Sequence, residues 1–227
     1  RGQGHRDVEP AFAAEADRPA PAALRRMLAV ERAAGVRATY CIVGSLLDEI
    51  RPPVEEHGHA LGFHSYQHRL PDDDAKHRGA DFEELVRCRG VDDSIRGYRP
   101  PQSRIGPGLA DRHLARYNFE WFASSCSSLG RDWPGLENGI VKIPIHIDDF
   151  DLHRGRIGYE EWEQKVLSGA RDREFFAIGL HDCYADHWID HYPGLLEKLG
   201  ALGTFRTFDA VADDVVSGAS RWSFGSD

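Results

Sequence analysis

The chain has 227 residues, of which 41% are hydrophobic and 10% aromatic, enough for one folded domain with its own core. Its formal net charge of -9 argues against a nucleic-acid backbone or an anionic membrane as the main partner. No apolar run reaches the roughly 18 residues that a membrane-spanning helix needs, and "RGQGHRDVEP" lacks the apolar core of a secretory signal.

The first predicted element is the helix "PAALRRMLAVERAA". It places Leu24, Met27, Leu28 and Val30 on one stripe and ends at Gly35. "VRATYCIVG" then predicts a buried strand, because it is rich in β-branched and aromatic residues.

The next segment, "SLLDEIRPPVEEHG", predicts two short helical pieces broken by Pro52 and Pro53. "HALGFHS" predicts the following strand, at whose end His64 stands. An amphipathic helix is predicted in "DFEELVRCRGVDDSI" and further strands in "RGYRPP", "NFEWFASSCS", "GIVKIPIHI" and "EFFAIGLHD". "PGLLEKLGALG" and "TFRTFDAVADDVV" predict a helix, a short strand and a last helix.

This alternation of strands and helices predicts parallel βαβ units, and six or seven units favour a distorted barrel over an open sheet. We expect one α/β domain over residues 1–227. The four cysteines (Cys41, Cys88, Cys126 and Cys183) show no zinc-finger spacing, so we expect small buried residues and a reducing, cytoplasmic location.

Chemically suggestive residues follow several of these strands. His64 and His68 are four residues apart, a spacing that on a helical turn puts both imidazoles on one side, about 6 Å apart, and suits one metal. With 12 histidines in the chain, a chance surface pair is the competing interpretation.

The segment "RDVEP" contains Asp7 and Glu9. Two carboxylates in this spacing can divide metal binding and proton transfer between them. An ordinary acidic turn before Pro10 is the alternative.

Two further strand ends carry polar residues. Arg99 in "GYRPPQ" is fixed by two prolines and could orient a carboxylate base, while His181 in "IGLHDC" could act as a general acid. A surface arginine and a structural histidine are the corresponding alternatives.

Together these motifs resemble the NodB-type polysaccharide deacetylases, carbohydrate esterase family 4. The resemblance rests on "ATYCIVG", on "GHALGFHSYQH", on "GYRPP", "DW" and "IGLHD", in that order, and extends over about residues 5–212. It implies a distorted (β/α)7-type barrel and one divalent metal, and zinc is the metal that the resemblance favours.

The resemblance also implies residue roles. It makes Asp7 the general base, Arg99 the residue that orients it and His181 the general acid, assisted by Asp132. The predicted metal ligands are Glu9, His64 and His68, and the predicted pocket residues are Trp133, Ile178 and Tyr66.

Three departures from the family pattern indicate a divergent branch. The segment before Asp7 is poor in apolar residues, Glu9 replaces the usual aspartate, and "FASSCSSLGRDW" is longer than expected. Because of that length, Asp148 and Asp149 in "IPIHIDDFD" are the alternative acids to Asp132.

The predicted reaction is metal-assisted removal of acetate from an N-acetylated sugar or polysaccharide. The alternatives are an amidohydrolase acting on a small non-sugar amide and an inactive member that binds glycan. The sequence does not indicate an oligomeric state.

Overall fold

The computed structural model describes residues 20–69 and 79–218, so Asp7 and Glu9 lie outside the described residues. The strands are β1 (Thr39–Ile42), β2 (Ala60–Phe63), β3 (Gly97–Tyr98), β4 (Trp121–Ser125), β5 (Gly135–Glu137), β6 (Ile140–Ile145), β7 (Ile147–Asp148) and β8 (Ile178–Gly179). The helices are α1 (Ala20–Ala34), α2 (Leu47–Glu56), α3 (Ala80–Val91), α4 (Asp111–Arg116), α5 (Cys126–Leu129), α6 (Phe150–His153), α7 (Tyr159–Asp172), α8 (Tyr192–Gly200) and α9 (Phe208–Ser217). This order confirms the predicted α/β class.

Most strands belong to one sheet with the order β1-β2-β3-β4-β6-β5. Its strands pair in parallel from β1 to β6, and only β5 is antiparallel. Strands β7 and β8 pair in parallel beside it, and the N–H of His146, between β6 and β7, donates to the carbonyl of Ala177 at 2.9 Å. The strand order therefore continues beyond β6 to β8.

The two ends of this order face each other across a cavity of about 470 Å³, which residues of both β1 and β8 line. A sheet whose two ends face one cavity is curved, which agrees with the predicted distorted barrel. The strand pairing within residues 20–69 and 79–218 does not close a ring. None of the helices in this part of the chain combines the length and the apolar character needed to cross a bilayer.

The interior is filled by large aromatic side chains. Trp121 on β4, Trp162 on α7 and Trp188 after β8 are at most 1% exposed. Two glycines make room for Trp121, because a Cβ on Gly97 would lie 1.8 Å from the indole ring and one on Gly62 would lie 2.5 Å from it. Glycine is therefore required where β2 and β3 pass this ring.

Helix α1 confirms the first sequence prediction. Leu24, Met27 and Leu28 are buried on one face, and Gly35, with φ of 66°, follows the helix in the left-handed conformation that glycine adopts readily. The stripe faces α8 and the segment after β8.

The same helix carries a buried carboxyl group, Glu31, which is 2% exposed. It accepts hydrogen bonds from the hydroxyls of Tyr40 at 2.6 Å and Tyr192 at 2.5 Å, and so joins α1 to β1 and α8. Burial raises the pKa of Glu31, although the two tyrosine hydrogen bonds oppose the rise.

Two sequence predictions about local structure are wrong. Pro52 and Pro53 lie inside the single helix α2, where the burial of Leu47 and Val54, two turns apart, favours a continuous helix despite the missing N–H groups. The predicted short strand before α9 is an irregular segment.

The sequence analysis also missed the hairpin of β5 and β6, since it predicted only the second of these strands. Its turn contains Asn138 and Gly139, both with positive φ, of 50° and 81°. The Asn-Gly pair is a strong hairpin signal in its own right.

Candidate active site

His64 and His68 lie directly after β2, as predicted, and both are buried. Their ring centroids are 4.9 Å apart. They are brought together by an irregular loop and not by a helical turn, since Ser65 and His68 have positive φ angles of 59° and 58°. For residues other than glycine, this left-handed conformation costs roughly 1–2 kcal/mol each. The loop therefore needs support from its surroundings.

The imidazole of His64 has a defined tautomer. Its Nδ1 lies 2.9 Å from the carbonyl oxygen of Arg99, which can only accept, so Nδ1 carries the proton and the lone pair lies on Nε2. Burial lowers the pKa of His64 well below its ordinary value, and the neighbouring His68 and Arg99 lower it further. His64 is thus neutral near pH 7, as a metal ligand must be.

Arg99 follows β3, and its backbone N–H donates to the carbonyl of Phe63 at 2.8 Å. Its side chain lines the cavity between β1 and β8, together with His64 and His181. A Cβ on Gly179 would lie 3.2 Å from a terminal nitrogen of Arg99, so glycine on β8 leaves space for the guanidinium group. The Nε of Arg99 is buried without a hydrogen-bond partner among residues 20–69 and 79–218.

His181 lies two residues beyond β8 and contacts a fully buried acid, Asp149, which follows β7. One carboxylate oxygen of Asp149 lies 2.5 Å from His181 Nδ1. The other accepts from the His181 backbone N–H at 2.8 Å and from Trp188 Nε1 at 2.9 Å. This arrangement fixes the imidazole orientation and can stabilise an imidazolium ion. Asp149 is one of the two alternative acids that the sequence indicated.

Asp132 lies in a different environment, in the loop between α5 and β5. It is exposed, and its backbone carbonyl accepts a hydrogen bond from His146 Nε2 at 3.0 Å. Trp133 beside it is 38% exposed. The imidazole of His181 is therefore held by Asp149 and not by Asp132, because the "SSLGRDW" segment continues into the hairpin of β5 and β6.

Asp132 also belongs to a group of possible metal ligands. Ligand atoms of Cys126, Asp132 and His146 lie within 4.8 Å of one another. Burial and the negative charge of Asp132, to which the thiol donates a hydrogen bond, raise the pKa of Cys126 to about 11.

The hydrogen bonds of His146 argue against a metal in that group. Its Nδ1 accepts from the N–H of Ala177 at 3.1 Å, so the proton is on Nε2, which donates to Asp132. A metal on Nε2 would require either loss of the Ala177 hydrogen bond or an imidazolate. The group is better described as a hydrogen-bonded cluster that fastens the loop to the sheet.

Of the other predicted pocket residues, Ile178 on β8 lines the cavity, while Tyr66 packs partly buried against the core near β1 and β2. The cavity also contains Asp182, whose pKa is raised by burial. Sequence reasoning did not assign Asp182 or Trp188 to the site. The signal for Asp182 is its position directly after His181, at a strand end.

The two buried histidines fit a divalent metal. His64 supplies a neutral imidazole whose other nitrogen is fixed by a carbonyl, the arrangement usual for histidine ligands, and His68 lies beside it. The predicted third ligand, Glu9, lies outside the described residues.

Comparison by sequence finds no matching family model and no matching curated protein. Comparison of structures finds a candidate polysaccharide deacetylase from Mycobacterium smegmatis, with a TM-score of 0.69 and 16% identity over 96% of this chain and 84% of the other. The Puue allantoinase also gives a TM-score of 0.69, with 14% identity over 94% and 77% of the two chains. A family 4 carbohydrate esterase from Streptomyces lividans, solved with acetate, gives 0.56 and 16% identity over 79% and 82%.

At these identities the likeness shows the fold. It agrees with the motifs in "GHALGFHSYQH", "GYRPP" and "IGLHD" and with the departures that indicated a divergent branch. The chain therefore has the fold of the NodB-type polysaccharide deacetylases of carbohydrate esterase family 4.

Proposed function

We propose that this protein is a metal-dependent hydrolase that removes the acetyl group from an N-acetylated sugar or polysaccharide. The observation that carries the proposal is the meeting of three residues from separate strand ends, His64, Arg99 and His181, around one cavity. In parallel barrels the carboxyl ends of strands are where catalytic residues collect.

In the proposed site, His64, His68 and Glu9 hold the divalent metal, and zinc suits a set of two imidazoles and a carboxylate. When bound, the metal supplies Lewis-acid polarisation of the amide carbonyl and of the attacking water. The buried, neutral state of His64 supports this role, because it requires no deprotonation near pH 7.

His181 is the proposed general acid that donates a proton to the leaving amine. Asp149 accepts a hydrogen bond from His181 Nδ1, so the opposite nitrogen, Nε2, is the atom that exchanges the proton. The two bonds from one carboxylate to the backbone and the ring of His181 hold that nitrogen in place.

Asp7 is the proposed general base, which takes the proton from water. The Arg99 guanidinium, with its Nε buried beside the cavity, is the proposed partner of this carboxylate and would keep it ionised and oriented. Ile178 supplies an apolar wall for the acetyl methyl group. Tyr66 and Trp133 are further proposed pocket residues, although neither is among the residues that line this cavity.

Hydrolysis of a small non-sugar amide is the second candidate function. It is favoured by the likeness to the allantoinase, whose TM-score equals that of the mycobacterial deacetylase. The same machinery, a polarised amide with a base and a histidine acid, would serve both substrates.

The test is acetate release from N-acetylglucosamine oligomers by the purified chain with one equivalent of zinc, compared with hydrolysis of allantoin under the same conditions. Zinc-dependent acetate release that is lost in His181→Ala supports the deacetylase. Turnover of allantoin alone supports the second candidate. Binding of the oligomers without turnover of either would refute both and leave an inactive glycan-binding protein.

A further inference from the structure

The loop that carries His64 and His68 holds two residues in the left-handed conformation, Ser65 and His68. Such backbone persists only where neighbouring groups enforce it. Within the loop, the Ser65 hydroxyl accepts from the His68 N–H at 2.7 Å. On one side, the Ser65 carbonyl accepts from the Gly44 N–H at 2.9 Å, which fastens the start of the loop to the end of β1.

Gln67 precedes His68 in the loop, and its N–H donates to the carboxylate of Glu84. Glu84 lies on α3 and is fully buried, at 0% exposure. A buried carboxylate is uncommon, and its bond to an amide is charge-assisted, which makes it about twice as strong as a neutral bond. The bond fixes the peptide between Tyr66 and Gln67, which comes one peptide before the N–H of His68.

A second residue of α3, Arg87, supports the same loop. Its guanidinium lies 3.8 Å from the centre of the Tyr66 ring and donates to the Gln67 side-chain oxygen at 3.1 Å. Arg87 and Arg69 also lie 4.0 Å and 3.8 Å from a carboxylate oxygen of Glu84, which compensates the buried charge. Helix α3 therefore contacts the loop through both Glu84 and Arg87.

We propose that Glu84 is a positioning residue that holds His68 in its left-handed conformation, and so sets the affinity of the histidine pair for a divalent metal. This proposal rests on the metal site of the proposed function. Glu84 is not among the residues that line the cavity, and in this proposal it acts through the N–H of Gln67.

The experiment compares Glu84→Gln and Glu84→Met with a matched control, Asp81→Asn. Asp81 is also a buried carboxylate of α3, but it accepts from the N–H of Gly108 at 2.8 Å, away from the histidine loop. Glutamine keeps the size and one oxygen acceptor without the charge, and methionine keeps the length with only a weak sulfur acceptor. Each variant is first shown to unfold cooperatively in urea.

The first measurement is hydrogen exchange of the Gln67 amide in the metal-free protein, which does not depend on activity. Exchange should accelerate in Glu84→Gln and more in Glu84→Met, and stay within about twofold of wild type in Asp81→Asn. The second is the zinc Kd by titration calorimetry, which should rise about 10-fold or more in the Glu84 variants, as is usual for residues that support metal ligands.

The proposal would be overturned if both Glu84 variants had the same Gln67 exchange rate and the same zinc affinity as Asp81→Asn. If the wild type binds no zinc while Gln67 exchange still accelerates in the order stated, the loop-holding role stands and the metal site of the proposed function fails. If Glu84→Met does not fold, the comparison of Glu84→Gln with Asp81→Asn still tests the proposal.

Discussion

Replacement of Asp149 by asparagine is the change that should separate the proposed general acid from a structural histidine. Asp149 is fully buried and accepts three hydrogen bonds, two from His181 and one from Trp188. Asparagine has one acceptor oxygen, and its NH2 group would face a donor. At least one buried donor would then lose its partner, which costs about 1–3 kcal/mol of folding free energy.

The expected loss of activity is larger than this loss of stability. Without the carboxylate, the imidazolium of His181 is no longer stabilised and its ring is no longer held in one orientation. General acid catalysis contributes about 10²–10⁴-fold, and the corresponding change in a Ser-His-Asp triad costs about 10⁴-fold. We therefore expect kcat of Asp149→Asn to fall by about 10²–10⁴-fold, with bound zinc unchanged.

The assay measures kcat and KM for acetate release together with urea unfolding and zinc content. Two matched controls are available in Asp148→Asn and Asp132→Asn, since both acids are exposed and neither contacts the His181 imidazole. Both should keep kcat within a few-fold of wild type. A large loss in Asp132→Asn beside a nearly active Asp149→Asn would refute the assignment.

Three further predictions concern the metal ligands, the arginine and the buried acid of α1. His64→Ala or His68→Ala should reduce bound zinc well below one equivalent while unfolding stays cooperative; full occupancy in the double variant would remove the metal site. Arg99→Lys should lose most of the activity despite keeping its charge, because lysine lacks the planar fork, and near-normal turnover would make the arginine structural. Burial raises the pKa of Glu31 above 4.5, so the folded chain keeps that proton to higher pH than the unfolded chain. The free energy of unfolding in urea of the wild type, relative to that of Glu31→Gln, should therefore fall as pH rises from about 4.5 to 7. A difference that stays constant with pH would contradict the raised pKa.

Much of the fold could be predicted from the sequence, because periodicity reports burial directly. The stripe of Leu24, Met27 and Leu28 marks the buried face of α1, and the apolar run before His64 marks β2. The errors occur where packing overrides a local signal. Pro52 within α2 is the example, since the helix continues through it between buried turns.

Only part of the candidate site could be predicted from the order of the strands in the sequence. Residues directly after a predicted strand, such as His64 and Arg99, could be located because parallel strands place their carboxyl ends on one side. The loop conformation around His68 could not be predicted, since hydrogen bonds between residues distant in sequence, Gly44 to Ser65 and Gln67 to Glu84, accompany its positive φ angle.

The acid that contacts His181 shows why a motif match is not sufficient to identify the partner of a site residue. The pair Asp132-Trp133 matches the family's acidic-aromatic motif in sequence, yet it lies beyond β4 on a loop fastened to Cys126 and His146. Asp149 lacks that motif, but it follows β7, the strand that pairs with β8, so the two strand ends bring it to His181. A supporting acid must reach one ring nitrogen within about 3 Å, and strand pairing decides which acid does so. In a divergent chain, the neighbour in the sheet is therefore a better guide to the second residue of a catalytic pair than the neighbour in a motif.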